Sequence, residues 1–293
     1  MQSRQADDTT NTTGKKPRHV VHAVMEICGE TREALRSVSG WDRAAHIFWL
    51  LGPFILLVER SPADMWLSVI ALSFAGRSIL RREGWWLRVT WVRLAFLFWA
   101  ACLLSAFLSP LPAYSVGEAF VWFRFPLFAM AVAFWLGRDK RMINAMLLSI
   151  GLGMVAMCVI LAAEILIVGA NQGRLSWPYG DLVPGNYLAK ACLPAFVVVV
   201  AIATSSNGRT ASWAAIIALI SIVASVMTGE RVNFLIRACS SMLAAIAWRP
   251  RLYRVIAIFA VEGIAILTAI MSAPGLVQRF VDQFLQQLPT HGD

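Results

Sequence analysis

Long apolar segments alternate with short polar connections along almost the whole chain after its first 43 residues. A helix of about 20 apolar residues crosses the hydrocarbon core of a bilayer, and most of these segments approach or reach that length. The first two and the eighth are short. The pattern therefore predicts an all-α, polytopic transmembrane helical bundle of about nine spans, at residues 44–59, 65–80, 88–109, 116–137, 142–168, 186–204, 211–229, 232–247 and 252–272.

Basic residues separate the connections into two kinds. Lys and Arg cluster in the N-terminal region and in every second connection, so that most of the 26 fall on one side of the membrane. Cytoplasmic loops are enriched in these residues, and the N-terminus is therefore predicted to be cytoplasmic. Few basic residues remain elsewhere: Arg60, Arg174, Arg231 and Arg279 on the outside, and Arg93, Arg124, Lys190 and Arg237 within spans.

The same pattern divides the chain into three regions. Residues 1–43 are predicted to be cytoplasmic and largely disordered, because their first part is polar and poor in aromatic residues. In the second part of this region, apolar residues recur at roughly helical spacing, which suits either an amphipathic helix at the membrane surface or a solvated tail. Residues 44–272 form the transmembrane domain, and residues 273–293 begin a periplasmic segment.

Composition excludes several classes of protein. Hydrophobic residues make up 58% of the 293 residues and charged residues only 15%, which indicates an integral membrane protein. The net charge of +9 resides mainly in short cytoplasmic turns, where orientation and anionic lipid headgroups account for it, so nucleic acid is not a predicted partner. Four of the five cysteines fall within spans, and none has a CxxC spacing or a nearby histidine. We therefore predict no metal site and no cofactor.

One outside connection, residues 169–186, differs from the short turns elsewhere. It reads GANQGRLSWPYGDLVPGN, and its glycines and prolines predict a sharply bent backbone. Trp177 and Tyr179 suit the headgroup layer, as in an ordinary interfacial loop. That role does not explain Arg174, because outside loops are normally depleted of arginine. The same anomaly returns at Arg231, at the start of the eighth predicted span.

Two outward arginines on nearby helix ends suit a phosphate group of a membrane lipid. Guanidinium presents a planar fork of donors that matches phosphate oxygens, and it stays charged at any working pH. Outward N-termini of the sixth and eighth spans would add partial positive charge at the same level. Arg174 and Arg231 are therefore the predicted phosphate-binding residues, and Asp181 is a candidate for turn geometry or for pairing with Arg174.

Ionisable residues inside the spans provide a second set of candidates. Such groups are costly in lipid and usually face the interior of the bundle or an aqueous cavity. Glu164 and Lys190 lie at matching depths, so they form either a structural ion pair or part of a functional site. Candidate residues for a polar lining are Arg124, Glu164, Asp181, Lys190 and Arg237, and Glu262 is a candidate partner of Arg237.

Two short motifs carry a resemblance to a known family. The run R-L-S-x-P-x-G…P-x-N-Y-L-A, from Arg174 to Ala189, is followed one span later by T-G-E-R-V-N-F-L, from Thr228 to Leu235. This arrangement resembles the O-antigen ligase and O-antigen polymerase superfamily of bacterial inner-membrane proteins. The match is partial, because the N-P-N core of the family's first motif is replaced and the serine before its second arginine is Glu230.

The resemblance implies a multi-pass enzyme of the bacterial inner membrane that takes part in lipopolysaccharide or other polysaccharide biosynthesis. Such a glycosyltransferase moves glycan on the periplasmic face from an undecaprenyl-pyrophosphate-linked donor to a glycan or lipid acceptor, without a metal. Carried over, the pyrophosphate-binding role falls on Arg174 and Arg231. In the family, a large periplasmic loop with a catalytic histidine follows. The chain ends at Asp293, so we expect an incomplete chain and assign no catalytic residue; ligase and polymerase both stay open.

Two other classes stay open from the residues alone. A transporter or flippase would use the intramembrane ionisable residues as a polar path, although the Gly- or Pro-broken helices in matching halves that mark many transporters are weak here. A non-catalytic membrane scaffold is the third class.

Overall fold

A computed structural model describes most of the chain up to Gly229. The described residues are 20–169, 175–180, 183–206, 208–229, 236, 237, 239–244, 256, 259, 260, 263, 264 and 267. All regular secondary structure in this part of the chain is helical. Five continuous helical segments are long and apolar enough to cross a membrane, one of them being Pro112–Leu136. The count rises to seven if each of two bent helix pairs is taken as one span. This confirms the prediction of a helical membrane protein.

Eleven α-helices make up the described fold. They are α1 (Val20–Arg36), α2 (Gly40–Leu50), α3 (Gly52–Val58), α4 (Arg60–Leu80), α5 (Thr90–Phe107), α6 (Pro112–Trp122), α7 (Arg124–Ala131), α8 (Lys140–Ile167), α9 (Val183–Asn186), α10 (Leu193–Ser205) and α11 (Arg209–Met227). A 3-10 turn at Trp85–Arg88 precedes α5, and π-helical turns at Val132–Leu136 and Tyr187–Ala191 extend α7 and α9.

The helices coincide with the first seven predicted spans when each bent pair is taken as one. The predicted spans 44–59 and 186–204 are the two bent pairs, α2 with α3 and α9 with α10. Half of the eighth predicted span and most of the ninth lie outside the described residues. In the N-terminal region, Val20–Arg36 form the helix α1, whereas its location at a membrane surface stays a prediction.

The first bend, of 47°, follows from the Gly52-Pro53 pair. The amide of Phe54 donates to the carbonyl of Leu51 at 3.0 Å, whereas in a regular α-helix it would donate to that of Leu50, four residues earlier. The carbonyl of Leu50 instead accepts a hydrogen bond from the hydroxyl of Ser149 on α8, at 2.7 Å. Gly52 packs directly on the ring of Trp66, where any side chain would overlap the indole. A proline that lacks a backbone donor and a glycine without a Cβ together permit the break.

The second bend, of 58°, joins the π-helical turn after α9 to α10. The amide of Cys192 donates to the carbonyl of Tyr187, five residues earlier, at 3.0 Å. The hydroxyl of Tyr187 donates to the carbonyl of Pro53 at 2.7 Å, so the two bends are in direct contact. Single π-turns inside helices are frequent at functional sites, and this one contains the last three residues of the first motif, Tyr187 to Ala189.

Gly153 on α8 makes room for this contact, and its substitution is a sharp test of the fold. A Cβ at position 153 would overlap the Tyr187 hydroxyl. We expect Gly153→Val to destabilise the protein by about 1–3 kcal/mol, as overpacking does in other cores, measured by thermal unfolding in detergent. Gly151→Val is the matched control, because a Cβ on Gly151 of the same helix meets open space. Equal stability of the two variants would contradict the close approach of α8 and Tyr187.

The described helices form two apolar cores. One contains buried side chains of α2, α4 and α7, among them Trp49, Phe74 and Met130. The other lies between α8, α10 and α11 and includes Met157, Phe196 and Ile222. The second core ends directly beneath the loop that follows α8, and it positions the candidate site.

Candidate functional site

Three of the predicted site residues, Arg174, Asp181 and Arg231, lie outside the described residues. The structure does describe the backbone beside them. Residues 175–180 complete the run R-L-S-x-P-x-G that begins at Arg174, and residues 227–229 lie shortly before Arg231. The site is therefore built from these flanking segments and from the helices beneath them.

A backbone hydrogen bond joins the first motif to the end of α11, directly before the second motif. The amide of Leu175 donates to the carbonyl of Met227, the last residue of α11, at 2.9 Å. Leu175 is only 2% exposed and belongs to the core between α8, α10 and α11. Leu175 directly follows Arg174 in the sequence, and Met227 precedes Arg231 by four residues. The two motif segments, distant in sequence, thus meet at one end of the helical bundle.

Tight turns shape both segments. The amides of Tyr179 and Gly180 donate to the carbonyl of Ser176 at 2.8 and 2.9 Å, and Gly180 has a φ of +69°. At the end of α11, Gly229 has a φ of +76°, and its amide donates to the carbonyl of Val226. Positive φ values favour glycine, so the G of W-P-Y-G and the G of T-G-E-R have conformational reasons to be there.

Glu164 anchors the loop from below. Its side chain is 1% exposed in the last turns of α8, and its Oε1 atom accepts the backbone amide of Ser176 at 3.0 Å. Its Oε2 atom has no hydrogen-bond partner among the described residues. A buried carboxyl group is costly unless it is hydrogen-bonded. Here one oxygen fixes the loop two residues after Arg174.

Glu164 and Lys190 do not form the ion pair that was one of the two alternatives for them. Glu164 binds the loop backbone, whereas Lys190 is exposed on the π-helical turn Tyr187–Ala191, and no ion pair joins them in the described part of the chain. Matching depth in the membrane was therefore not sufficient to pair the two side chains. Glu262, the candidate partner of Arg237, lies outside the described residues.

Arg237 is enclosed by protein. It is 1% exposed, and it donates to the hydroxyl of Ser221 on α11 and to the carbonyl of Leu188 in the π-helical turn. Its guanidinium also lies 4.5 Å from the centre of the Phe196 ring. Arg237 thus joins α10 and α11 to the bend beneath the first motif, and these contacts are structural.

Arg124 belongs to a different part of the bundle. It lies at the start of α7 and forms an ion pair with Asp64 on α4, with an N–O distance of 3.0 Å. Its guanidinium also lies 5.1 Å from the ring of Phe125. Arg124 is therefore engaged between α4 and α7, whereas Glu164 is engaged between α8 and the loop that follows it.

A row of small hydroxyl side chains on α11 was not singled out from the sequence. Ser221, Ser225 and Thr228 are all at most 3% exposed, and the hydroxyl of Thr228 donates to the carbonyl of Ser225 at 2.6 Å. Their spacing of four and three residues places them on one helix face. This spacing was the available signal, but small hydroxyl residues are common in apolar helices and their presence alone indicates no site.

The tyrosine of the loop, Tyr179, remains neutral. Tyr179 is half-buried, and burial raises the pKa of its phenol above the ordinary value. The phenol therefore keeps its proton at neutral pH and remains a hydrogen-bond donor beside the first motif. In the described part of the chain, no three His, Cys, Asp or Glu side chains come together as a candidate metal site.

No protein-family model, curated protein or solved structure matches this chain.

Proposed function

We propose that this chain takes part in glycosyl transfer from an undecaprenyl-pyrophosphate-linked glycan at the outer face of a bacterial inner membrane, as O-antigen ligases and polymerases do. Arg174 and Arg231 bind the pyrophosphate. The acceptor is a glycan or a lipid. The proposal rests on the two motifs in the sequence and on the way the described helices bring their flanking residues together.

The observation that carries the proposal is the hydrogen bond between Leu175 and Met227. A pyrophosphate has two phosphoryl groups and spans only a few bonds, so two arginines can hold it only if their backbones are close. The bond brings the backbone next to Arg174 within hydrogen-bonding distance of the segment that leads to Arg231. Bidentate guanidinium–phosphate contacts then neutralise the charge that develops on the leaving pyrophosphate when the anomeric carbon is attacked.

Glu164 supports this site from below. By accepting the amide of Ser176, it fixes the loop at a defined height above α8. Preorganised donors stabilise a transition state only when their supports are rigid, because a small displacement costs much of the rate. The residues that hold the loop, rather than the arginines alone, therefore matter for transfer.

The proposed topology has nine spans and a cytoplasmic N-terminus. With α2–α3 and α9–α10 each taken as one span, α8 and α11 run in the same direction, and the loops that follow them lie on one side. The Leu175–Met227 hydrogen bond supports this arrangement, because it requires both loops at the same end of the bundle. The basic connections fall at the opposite end, which is the cytoplasmic one.

Labelling of single cysteines tests this topology. We expect an impermeant thiol reagent applied to intact spheroplasts to label a cysteine at position 172 but not one at position 140. The basic turn around Lys140 is proposed to face the cytoplasm, whereas the loop after α8 faces outward. A cysteine at position 207, in the connection before α11, is also expected to stay unlabelled and is a second control for the cytoplasmic side. Labelling at 140 and not at 172 would invert the orientation.

Deletion of the gene in its own host tests the function. We expect the lipid-linked glycan to accumulate in the outer leaflet of the inner membrane, where added glycosidases or lectins reach it in spheroplasts. A flippase defect would trap the same glycan in the inner leaflet, out of reach. Unchanged levels of lipid-linked glycan, or accumulation only in the inner leaflet, would overturn the proposal.

A further inference from the structure

A groove lies at the other end of the bundle, between α1, α2 and α8. Its cavity has a volume of about 420 Å³, which is within the usual range for small-molecule sites. The lining is mostly apolar, with arginines at one end. It is separate from the motif loops at the outward ends of α8 and α11.

The groove is formed by an N-terminal helix that is held firmly on the bundle. Ala34 of α1 is 2% exposed and belongs to the core that contains α2, α4 and α7. The guanidinium of Arg43 on α2 donates to the carbonyls of Leu35 at 2.8 Å and Val38 at 3.1 Å, and so caps the end of α1. Cations at the C-terminal end of a helix interact favourably with its dipole.

Two arginines of α1 contribute to the lining of the groove. Arg32 and Arg36 lie one turn apart, line the groove and are exposed. The three glutamates of the helix, Glu26, Glu30 and Glu33, do not line the groove, although Glu33 lies one turn before Arg36 on the helix surface. The groove therefore presents two exposed guanidinium groups of α1 and has no carboxylate among its lining residues.

The floor of the groove is mostly apolar and runs along α8. Along α8 it runs from Ala145 to Leu152, which is about 10 Å at 1.5 Å per residue. Phe54 of α3 and Ile47 of α2 complete it from the other side. A free phosphate ion would leave this floor unfilled, whereas a lipid acyl chain would cover it and make close van der Waals contact along its length.

We propose that this groove is a binding site for an anionic phospholipid. Arg32 and Arg36 contact the phosphate of the headgroup, and the part of one acyl chain nearest the headgroup lies along α8. An anionic headgroup such as phosphatidylglycerol is favoured over phosphatidylcholine, because the two guanidinium groups meet a net negative charge with no ammonium group to oppose them. In this way α1 is held to the membrane surface independently of the proposed transfer site.

Lipid titration by native mass spectrometry tests the proposal on the full chain in detergent. We expect phosphatidylglycerol to bind about tenfold tighter than phosphatidylcholine of the same chain length, which is 1.4 kcal/mol. The R32A/R36A double variant loses this preference, and R32K/R36K keeps most of it. R88A/R138A is the matched control: it removes two exposed arginines that do not line the groove, and it keeps the preference.

Four outcomes decide the matter. Retention of the preference for phosphatidylglycerol in R32A/R36A would overturn the proposal. Equal loss of this preference in R88A/R138A would also overturn it, because the preference would then depend on the net charge of the protein and not on the groove. Binding of inorganic phosphate as tightly as phosphatidylglycerol would show that the acyl chain adds no affinity, and would also overturn the proposal. Leu148→Trp, which fills the floor of the groove, is expected to weaken binding of both lipids; unchanged binding would remove the acyl-chain contact from the proposal.

Discussion

Replacement of Arg174 or Arg231 by alanine is expected to abolish glycan transfer while leaving membrane levels and helix content unchanged. Each guanidinium is proposed to meet phosphate oxygens rather than protein atoms. Hydrogen bonds to charged groups contribute about 1.5–3 kcal/mol each, so loss of one arginine should weaken binding of the donor about 10- to 100-fold. The effect on transfer is larger, about 10²–10³-fold, because the pyrophosphate gains charge as it leaves.

The measurement is the level of transferred polysaccharide and of accumulated lipid-linked glycan in cells that carry each variant in place of the native gene. Arg60→Ala is the matched control, because Arg60 is an exposed arginine of the same predicted side at the start of α4. Arg→Lys should rescue poorly, since an ammonium group is a point charge without a planar fork. Near-normal transfer by either alanine variant would remove that residue from the pyrophosphate site.

Glu164→Ala is expected to reduce both stability and transfer. The change leaves the buried amide of Ser176 without its acceptor, which costs about 1–3 kcal/mol, and it releases the loop next to Arg174. A displacement of about 1 Å at a catalytic site can cost about 100-fold in rate. Glu164→Gln keeps an acceptor oxygen at the same position, so it should retain most of the stability and of the transfer activity.

Thermal unfolding in detergent and the cellular transfer readout together check this prediction. Glu118→Ala is the control, because Glu118 is an exposed glutamate of α6. If Glu164→Ala kept normal transfer, the loop would not depend on this anchor. If Glu164→Gln failed as completely as Glu164→Ala while remaining folded, the carboxylate charge, rather than its acceptor oxygen, would be the essential feature.

The helices were predictable from the sequence because a membrane imposes a length on every span. The seven apolar segments from residue 44 to residue 229 recur as helices, since hydrocarbon requires each backbone group to be satisfied within its own segment. The apolar spacing after His19 allowed α1 but did not require it. Gly52-Pro53 and Pro194 lie at the two bends, which were not predicted because hydropathy alone treats a bent pair and a straight helix alike.

Contacts between distant segments were not predictable in the same way. Depth along a helix can be counted from the sequence, but the direction in which a side chain points depends on the rotation of each helix in the bundle. Glu164 and Lys190 therefore share a depth and yet form no pair in the described structure, and Glu164 binds the loop amide. For the same reason the motifs revealed two arginines, whereas the hydrogen bond between Leu175 and Met227 became evident only from the packed helices.

Binding of undecaprenyl pyrophosphate to the purified protein tests the proposed pyrophosphate site without the other steps of transfer. We expect the wild-type chain to bind undecaprenyl pyrophosphate at least tenfold tighter than undecaprenyl monophosphate, because two arginines engage two phosphoryl groups. We also expect that Arg174→Ala and Arg231→Ala each bring the two affinities close together, while Arg60→Ala leaves the preference intact. Equal affinity of the wild-type chain for the two lipids would contradict the proposed pyrophosphate site.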